Sequence, residues 1–255
     1  MGNGMDVGTL KRTRAAMVGV QLGLLAVFAV VTVVLHVLRA HALSGAPTSV
    51  EASVYVAMAL AMVISFVVLH PLAERTPTPV ASRVAALLCF VASAAMALGV
   101  HAAANAHGVA GPSPLRVLRI WFLGLIVLLA ALVTGAFAHE MARRDRSRMI
   151  RSLSSVVTCG LAGACAGGWT FLVDFRQPEE LADLNPEVMA VVCALALLAV
   201  AGMVVASTRW ADAHYHQIDM GHGYGWVSVG LLTTMFTGAV VVLLDLVMTL
   251  LWTRL

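Results

Sequence analysis

The chain has 255 residues, of which 60% are hydrophobic and 11% are charged, and its formal net charge is +3. A soluble domain carries about 25% charged residues, and a soluble fold of this length could not hide so much apolar surface from water. The composition therefore excludes an ordinary soluble protein and predicts an integral membrane protein that contacts the lipid bilayer. The small net charge gives no basis for nucleic-acid binding.

Seven segments are long and apolar enough to span a bilayer, because a spanning helix needs about 20 mostly apolar residues. In chain order they are residues 15–38, 52–71, 80–102, 117–138, 153–174, 188–207 and 226–252. The connections between them are short and contain proline and glycine, which is typical of turns. The sequence thus predicts a single domain over residues 1–255, an all-α polytopic bundle of seven transmembrane helices.

The distribution of basic residues predicts the orientation of the bundle. If the N-terminus is cytoplasmic, the inside receives eleven lysines and arginines and the outside receives five. Cytoplasmic loops carry an excess of these residues, so we expect the N-terminus inside and the C-terminus outside. Lys11 is the only lysine against fifteen arginines. This bias suggests a GC-rich bacterial genome, and we expect the bacterial plasma (inner) membrane as the location.

Tryptophans and cysteines give two further expectations. The five tryptophans lie at or near the ends of the predicted spans, where the amphipathic indole prefers the membrane interface. The four cysteines all lie in apolar segments, and we expect them to be free and buried as small hydrophobes rather than paired in disulfides.

Small residues are concentrated in the fifth predicted helix. Gly163 and Gly167 have GxxxG spacing, and Gly160, Ala164 and Gly168 form a second row of small residues. Such rows let helices approach closely in lipid. We expect this helix to lie centrally. Its glycines would serve tight packing within the chain, a hinge, or a surface for a homo-oligomer or membrane partner.

Asp245 is the strongest candidate for a functional residue, because it lies inside the seventh apolar segment. A carboxylate within a bilayer costs at least ~2.5–3.5 kcal/mol, so it must face the interior, find a partner or be protonated. It is interpreted as a proton-relay or substrate-binding group. The alternative is that it lies near the outer end of its helix and pairs with Arg254 or with a loop arginine.

A dense basic cluster connects the fourth and fifth helices. Its arginines, which we interpret as candidates for binding anionic headgroups, are Arg143, Arg144, Arg146, Arg148 and Arg151. The alternative is an ordinary positive-inside loop whose charges pair locally with Glu140 and Asp145.

The loop before the seventh helix, residues 211–226, is rich in metal-ligand side chains. The candidate metal ligands are His214, His216, Asp219 and His222. No standard metal motif is matched, so a polar interfacial loop is the alternative. We assign no cofactor from the sequence: a divalent metal held by these side chains is the alternative, and haem is not expected. Histidines at equal depth, such as His36 and His101, could ligate haem iron, but no paired repeat within one helix supports it.

The sequence contains no Walker A loop, no GxGxxG and no GxSxG. The leading functional hypothesis is a transporter or permease for a small solute or a proton, with Asp245 as its carboxylate. One alternative is a membrane-embedded enzyme that acts on a lipid or lipid-linked substrate at the cytoplasmic face. Another is a non-catalytic scaffold or assembly factor. The sequence does not decide whether the protein is an enzyme.

Overall fold

The structure, a computed structural model, describes residues 7–41, 48–69, 79–106, 114–143, 148–174, 186–214 and 225–254. Its α-helices are α1 (Val7–His41), α2 (Thr48–Val68), α3 (Pro79–Ala106), α4 (Pro114–Ala142), α5 (Met149–Ala166), α6 (Pro186–His214) and α7 (Gly225–Arg254). A 3₁₀ helix, Gly167–Asp174, continues directly from α5. In these ranges the chain forms seven helical spans long and apolar enough to cross a membrane. The predicted seven-span all-α bundle is confirmed, and the protein is a multi-pass membrane protein.

Prolines mark several helix starts. Pro79, Pro114 and Pro186 are the first residues of α3, α4 and α6, where the missing N–H of proline costs no hydrogen bond. The helix ends differ from the predicted spans because hydropathy marks only the apolar part of a helix. Thus α6 continues through polar residues to His214, whereas α2 ends at Val68, three residues before the predicted boundary.

Hydrogen bonds between helices give their directions. Ser82 Oγ and Ser155 Oγ, both near the starts of their helices, lie 3.0 Å apart, so α3 and α5 are parallel. Gln21, in the first half of α1, bonds to Thr233, in the first half of α7, and to Ser207, in the second half of α6. Hydrogen bonds from α2 to α1 and from α5 to α4 join the start of one helix to the later part of the other, so each of these pairs is antiparallel. Odd-numbered helices therefore begin at one end of the bundle, here called the N-side, and end at the other, the C-side.

The fifth span is the centre of the bundle, as its small residues predict. Of its most apolar stretch, 78% of the residues are buried, against 11% for the spans of α1, α4 and α6. It packs against α3 most extensively, and also against α2, α4 and α7. The three outer helices present apolar side chains outward, for example Val127 and Leu197, as a lipid-facing surface requires.

The glycines of the fifth span are covered by the chain itself. All four predicted packing glycines are buried, and an added Cβ on each would meet a neighbouring helix. The contacts are Gly160 with Leu132 of α4, Gly163 with Ala86 of α3, Gly167 with Ser93 of α3, and Gly168 with Gly238 of α7. These positions therefore serve packing within the chain. A homo-oligomer or membrane partner stays a prediction, and in this conformation it would need a different face.

Two tryptophans lie inside the bundle rather than on its lipid-facing surface. Trp169 stacks on Phe28 with ring centroids 4.1 Å apart and donates from Nε1 to the Thr234 carbonyl. Trp121 donates from Nε1 to the Ser93 carbonyl. Because each indole N–H finds a carbonyl inside the protein, burial leaves no donor unsatisfied. The interfacial expectation therefore does not hold for these two side chains.

All four cysteines are free, as expected from the sequence. Cys89, Cys159 and Cys165 are buried, whereas Cys193 is exposed. The expectation of burial is wrong for Cys193, because it lies on α6, where most side chains face away from the bundle.

Candidate functional site

Asp245 lies on the inward face of α7, with only 6% of its surface exposed. Val242, one turn earlier, belongs to a buried cluster with Trp121 of α4 and Phe171 of the 3₁₀ helix. Thr249, one turn later, is buried as well. A charged group inside a bilayer is tolerated where it faces the interior of the protein. The sequence places this carboxylate in a span, and the fold turns it away from lipid.

A second pair of ionisable groups lies at the C-side ends of α3 and the 3₁₀ helix. His101 Nδ1 is 3.5 Å from Asp174 Oδ1, and the two side chains are 6% and 34% exposed. The His101 ring also packs against Phe171, with centroids 5.6 Å apart. In a 3₁₀ helix, side chains three residues apart lie on the same side of the helix, one above the other. Asp174 and Phe171 have this spacing, and both contact His101.

Counted by helical rise, the three ionisable groups lie at similar distances from the level of Gly167 and Gly168. Gly167 lies against Ser93 of α3, and Gly168 lies against Gly238 of α7. These contacts mark one common level in the bundle, from which the rise along each helix can be counted. From that level His101 is eight residues along α3, a rise of about 12 Å, and Asp245 is seven residues along α7, a rise of about 10 Å. Asp174 is six residues beyond Gly168, about 12 Å in 3₁₀ geometry. We call His101, Asp174 and Asp245 the C-side layer.

His101 is almost fully buried, with one ring nitrogen facing a carboxylate. Among the residues that the structure describes, its other nitrogen, Nε2, has no hydrogen-bond partner. An imidazole held by a carboxylate at one nitrogen and unbonded at the other is suited to accept or release a proton, or to bind a polar ligand. The sequence alone suggests only a haem-ligand role for His101 and does not connect it to Asp174, because residues 73 positions apart meet only through the packing of α3 on the fifth span.

Of the three arginines of the basic cluster that the structure describes, one forms an ion pair and two are exposed. Glu140 is buried at the N-side and accepts hydrogen bonds from Ser152 Oγ at 2.5 Å and from Arg143 at 2.9 Å. Arg143 is therefore engaged in an ion pair, which supports the local-pairing interpretation for this residue. Arg148 and Arg151 are exposed. Arg144 and Arg146 lie outside the described residues.

A buried hydrogen-bond network around the Gln21 amide lies in the N-side half of the bundle, and the sequence analysis does not predict it. Gln21 donates from Nε2 to Ser207 Oγ at 2.8 Å and to Thr233 Oγ1, and so joins α1 to α6 and α7. Ser207 and Thr233 donate in turn to carbonyls of their own helices. A signal was present, since Gln21 is a primary amide inside an apolar span, where polar side chains bridge helices.

The predicted metal site cannot be placed. His214 ends α6, whereas His216, Asp219 and His222 lie outside the described residues. Within the seven described ranges, no group of three or more histidine, cysteine, aspartate or glutamate side chains is arranged to hold a metal ion. The metal site therefore stays a prediction from the sequence.

No protein-family model, curated protein or solved structure matches this chain.

Proposed function

We propose that this protein is a transporter or permease of the bacterial plasma membrane that moves a small solute or a proton through an interior site at the C-side layer. The observation that carries the proposal is the burial of the Asp245 carboxylate in a spanning helix, at the depth of the His101–Asp174 contact. Ionisable groups inside a membrane are costly, and by default they mark solute or ion pathways.

The discontinuous fifth span supports the same proposal. The α-helix gives way to a 3₁₀ helix at Gly167, inside the membrane-spanning segment. A 3₁₀ stretch longer than three or four residues is uncommon, and transporters commonly build their sites where a spanning helix departs from α-helical geometry. Here the 3₁₀ helix carries Asp174 into the layer and packs on α7, which carries Asp245.

The enzyme and scaffold alternatives do not depend on the C-side layer. An enzyme acting on lipid would rely on the 143–151 arginines and the 211–226 loop at the N-side, and Arg143 is bound to Glu140. A scaffold would need no polar layer. The buried ionisable groups therefore favour transport over both.

Water access to the inward face of α7 tests the proposal without knowledge of the solute. Asp245→Cys and Thr249→Cys would be made in a chain whose four native cysteines are replaced by alanine. Membranes carrying each variant would be treated with a water-soluble methanethiosulfonate reagent. We expect both positions to react, because a transport site must open to water in part of its cycle.

Leu243→Cys is the matched control, since Leu243 lies on α7 two residues before Asp245 but is exposed on the outer surface of the bundle. A thiol in lipid does not ionise, so this variant should stay unmodified. Lack of modification at both Asp245→Cys and Thr249→Cys in correctly inserted protein would contradict the proposal and favour a closed scaffold.

A further inference from the structure

The fifth span is mostly buried, but one face of it is open near the N-side. Ile150 is 81% exposed, more than any other large apolar side chain that the structure describes. Ser154 follows one turn later and is exposed, and Thr158 and Leu161 continue the same face of the helix and are partly buried. We call these four residues the α5 stripe. The central helix of the bundle therefore reaches the outer surface along this stripe.

Two neighbouring helices leave the α5 stripe uncovered at the N-side. α4 packs on the fifth span through Leu132, and α7 packs on it through Gly238. These two helices meet at the C-side, where Trp121 packs with Val242. The exposure of Ile150 shows that neither covers the N-side end of the stripe. An exposed apolar surface in a membrane-spanning segment is a surface for lipid chains.

Two exposed arginines flank Ile150 at the boundary of the membrane. Arg148 precedes α5 and Arg151 lies in its first turn, and both side chains are exposed. The apolar span begins at Met149. Both guanidinium groups therefore lie at the depth of the lipid headgroups, and their aliphatic stems can extend along apolar surface.

Positive charge is in excess at this end of the bundle. Residues 143–151 include five arginines and one aspartate. The buried carboxylate of Glu140 is bound to Arg143 and Ser152. Among the residues that the structure describes, neither exposed arginine has an ion-pair partner. A phosphate group would supply the counter-charge, because the planar guanidinium matches its oxygens with two parallel hydrogen bonds.

The backbone of Arg148 adds a separate observation. Its φ is 61° and its ψ is 25°, the left-handed conformation. In the described part of the chain, it is the only residue other than glycine with a positive φ. This conformation is costly for a residue with a Cβ, and glycine relieves the cost. An arginine here lowers backbone stability while it places a guanidinium group at the headgroup level.

We infer that the N-side end of the α5 stripe binds one anionic phospholipid. Its phosphate contacts Arg148 and Arg151, and an acyl chain lies over Ile150 and along the stripe. Charge complementarity selects an anionic lipid over a zwitterionic one, and the exposed apolar side chain between the arginines selects a lipid over a free anion. The site lies on the outer surface of the bundle and goes beyond the proposed function, so neither depends on the other.

Lipid-selective fluorescence quenching tests the site. Ser154→Cys would be labelled with bimane in a chain whose four native cysteines are replaced by alanine. Phosphatidylcholine bilayers would contain either brominated phosphatidylglycerol or brominated phosphatidylcholine with the same acyl chains, and the ratio of quenching measures the local preference for the anionic lipid. We expect a preference in the wild type that falls about fivefold in Arg151→Gln and further in the double variant Arg148→Gln/Arg151→Gln.

Two controls separate a bound lipid from the bulk bilayer. Arg209→Gln removes an exposed arginine from α6 on the same side of the membrane, and the preference at Ser154 should not change. Bimane at Leu197→Cys, a position 70% exposed on α6, should show no preference for either lipid.

Arg148→Gly separates the side chain from the backbone. Because glycine accepts a positive φ without cost, this variant should melt at a higher temperature in neutral detergent. It should also lose about fivefold of the lipid preference, because the guanidinium is absent. A purely structural role for Arg148 would leave the preference unchanged and contradict the site as described.

Loss of the preference in the double variant, with a normal Arg209→Gln, supports the bound lipid, provided that both elute as monodisperse protein. If the double variant does not fold, Arg151→Gln decides, and a wild-type preference in it overturns the proposal. Equal loss in Arg209→Gln, or no preference in the wild type, overturns it in favour of a general surface potential. If inorganic phosphate abolishes the preference and chloride of equal ionic strength does not, the arginines hold free phosphate and the lipid assignment is wrong.

Discussion

Single small residues set how closely the central helices approach. At Gly163 an added Cβ would collide with the Ala86 carbonyl of α3, and backbone atoms cannot move aside as a flexible side chain does. At Gly135 of α4 the same Cβ would meet nothing within 4 Å. The two glycines are alike in the sequence, and only their neighbours distinguish them. The GxxxG spacing predicts close packing but does not name α3 as the partner.

We therefore expect Gly163→Ala to destabilise the protein and Gly135→Ala to be neutral. Forcing one methyl group into a filled interface costs about 1–3 kcal/mol, and it should lower the apparent melting temperature in detergent, measured by thermal-shift fluorescence. Equal melting temperatures for the two variants would show that α3 and α5 are not packed as closely as described.

At the level of elements, α6 depends on a few polar contacts. It packs mainly on α7 and less on α1, and most of its side chains face away from the bundle. The hydrogen bond from Gln21 to Ser207 therefore ties α6 to α1. Neither the apolar pattern of α6 nor its length predicts this arrangement, because every spanning helix is apolar on all sides.

Ser207→Ala should loosen α6, whereas Thr208→Ala should not. Thr208 is adjacent in sequence, but its hydroxyl donates only to the Val205 carbonyl of its own helix. Hydrogen bonds between membrane helices contribute about 0.6 kcal/mol on average, up to about 1.7. Faster hydrogen–deuterium exchange in peptides of α6 for Ser207→Ala alone is the expected result. Indistinguishable exchange in the two variants would argue against the buried amide network.

For the whole molecule, helix directions alternate, and the charge pattern predicts the N-side to be cytoplasmic. The hydrogen bonds between helices fix the directions relative to each other but contain no information about the two sides of a membrane. Only the arginine and lysine distribution distinguishes these sides, because translocation of basic loops is disfavoured.

A cysteine at Ser44, between α1 and α2, should react with a membrane-impermeant maleimide on intact cells. A cysteine at Thr76, between α2 and α3, should react only after the cells are permeabilised. Both substitutions would be made after the four native cysteines are replaced by alanine. Labelling of Thr76→Cys but not Ser44→Cys on intact cells would invert the predicted orientation.

The number and order of the spans, the central place of the fifth helix and the presence of a carboxylate in the seventh can all be predicted from the amino-acid sequence alone. These follow from local quantities: apolar length, small-residue spacing and a lone charge. By contrast, the contact of His101 with Asp174 and the 3₁₀ helix at the end of the fifth span are visible only in the folded protein. Such features depend on which faces of distant helices pack together, and uniformly apolar helices do not specify those faces in advance.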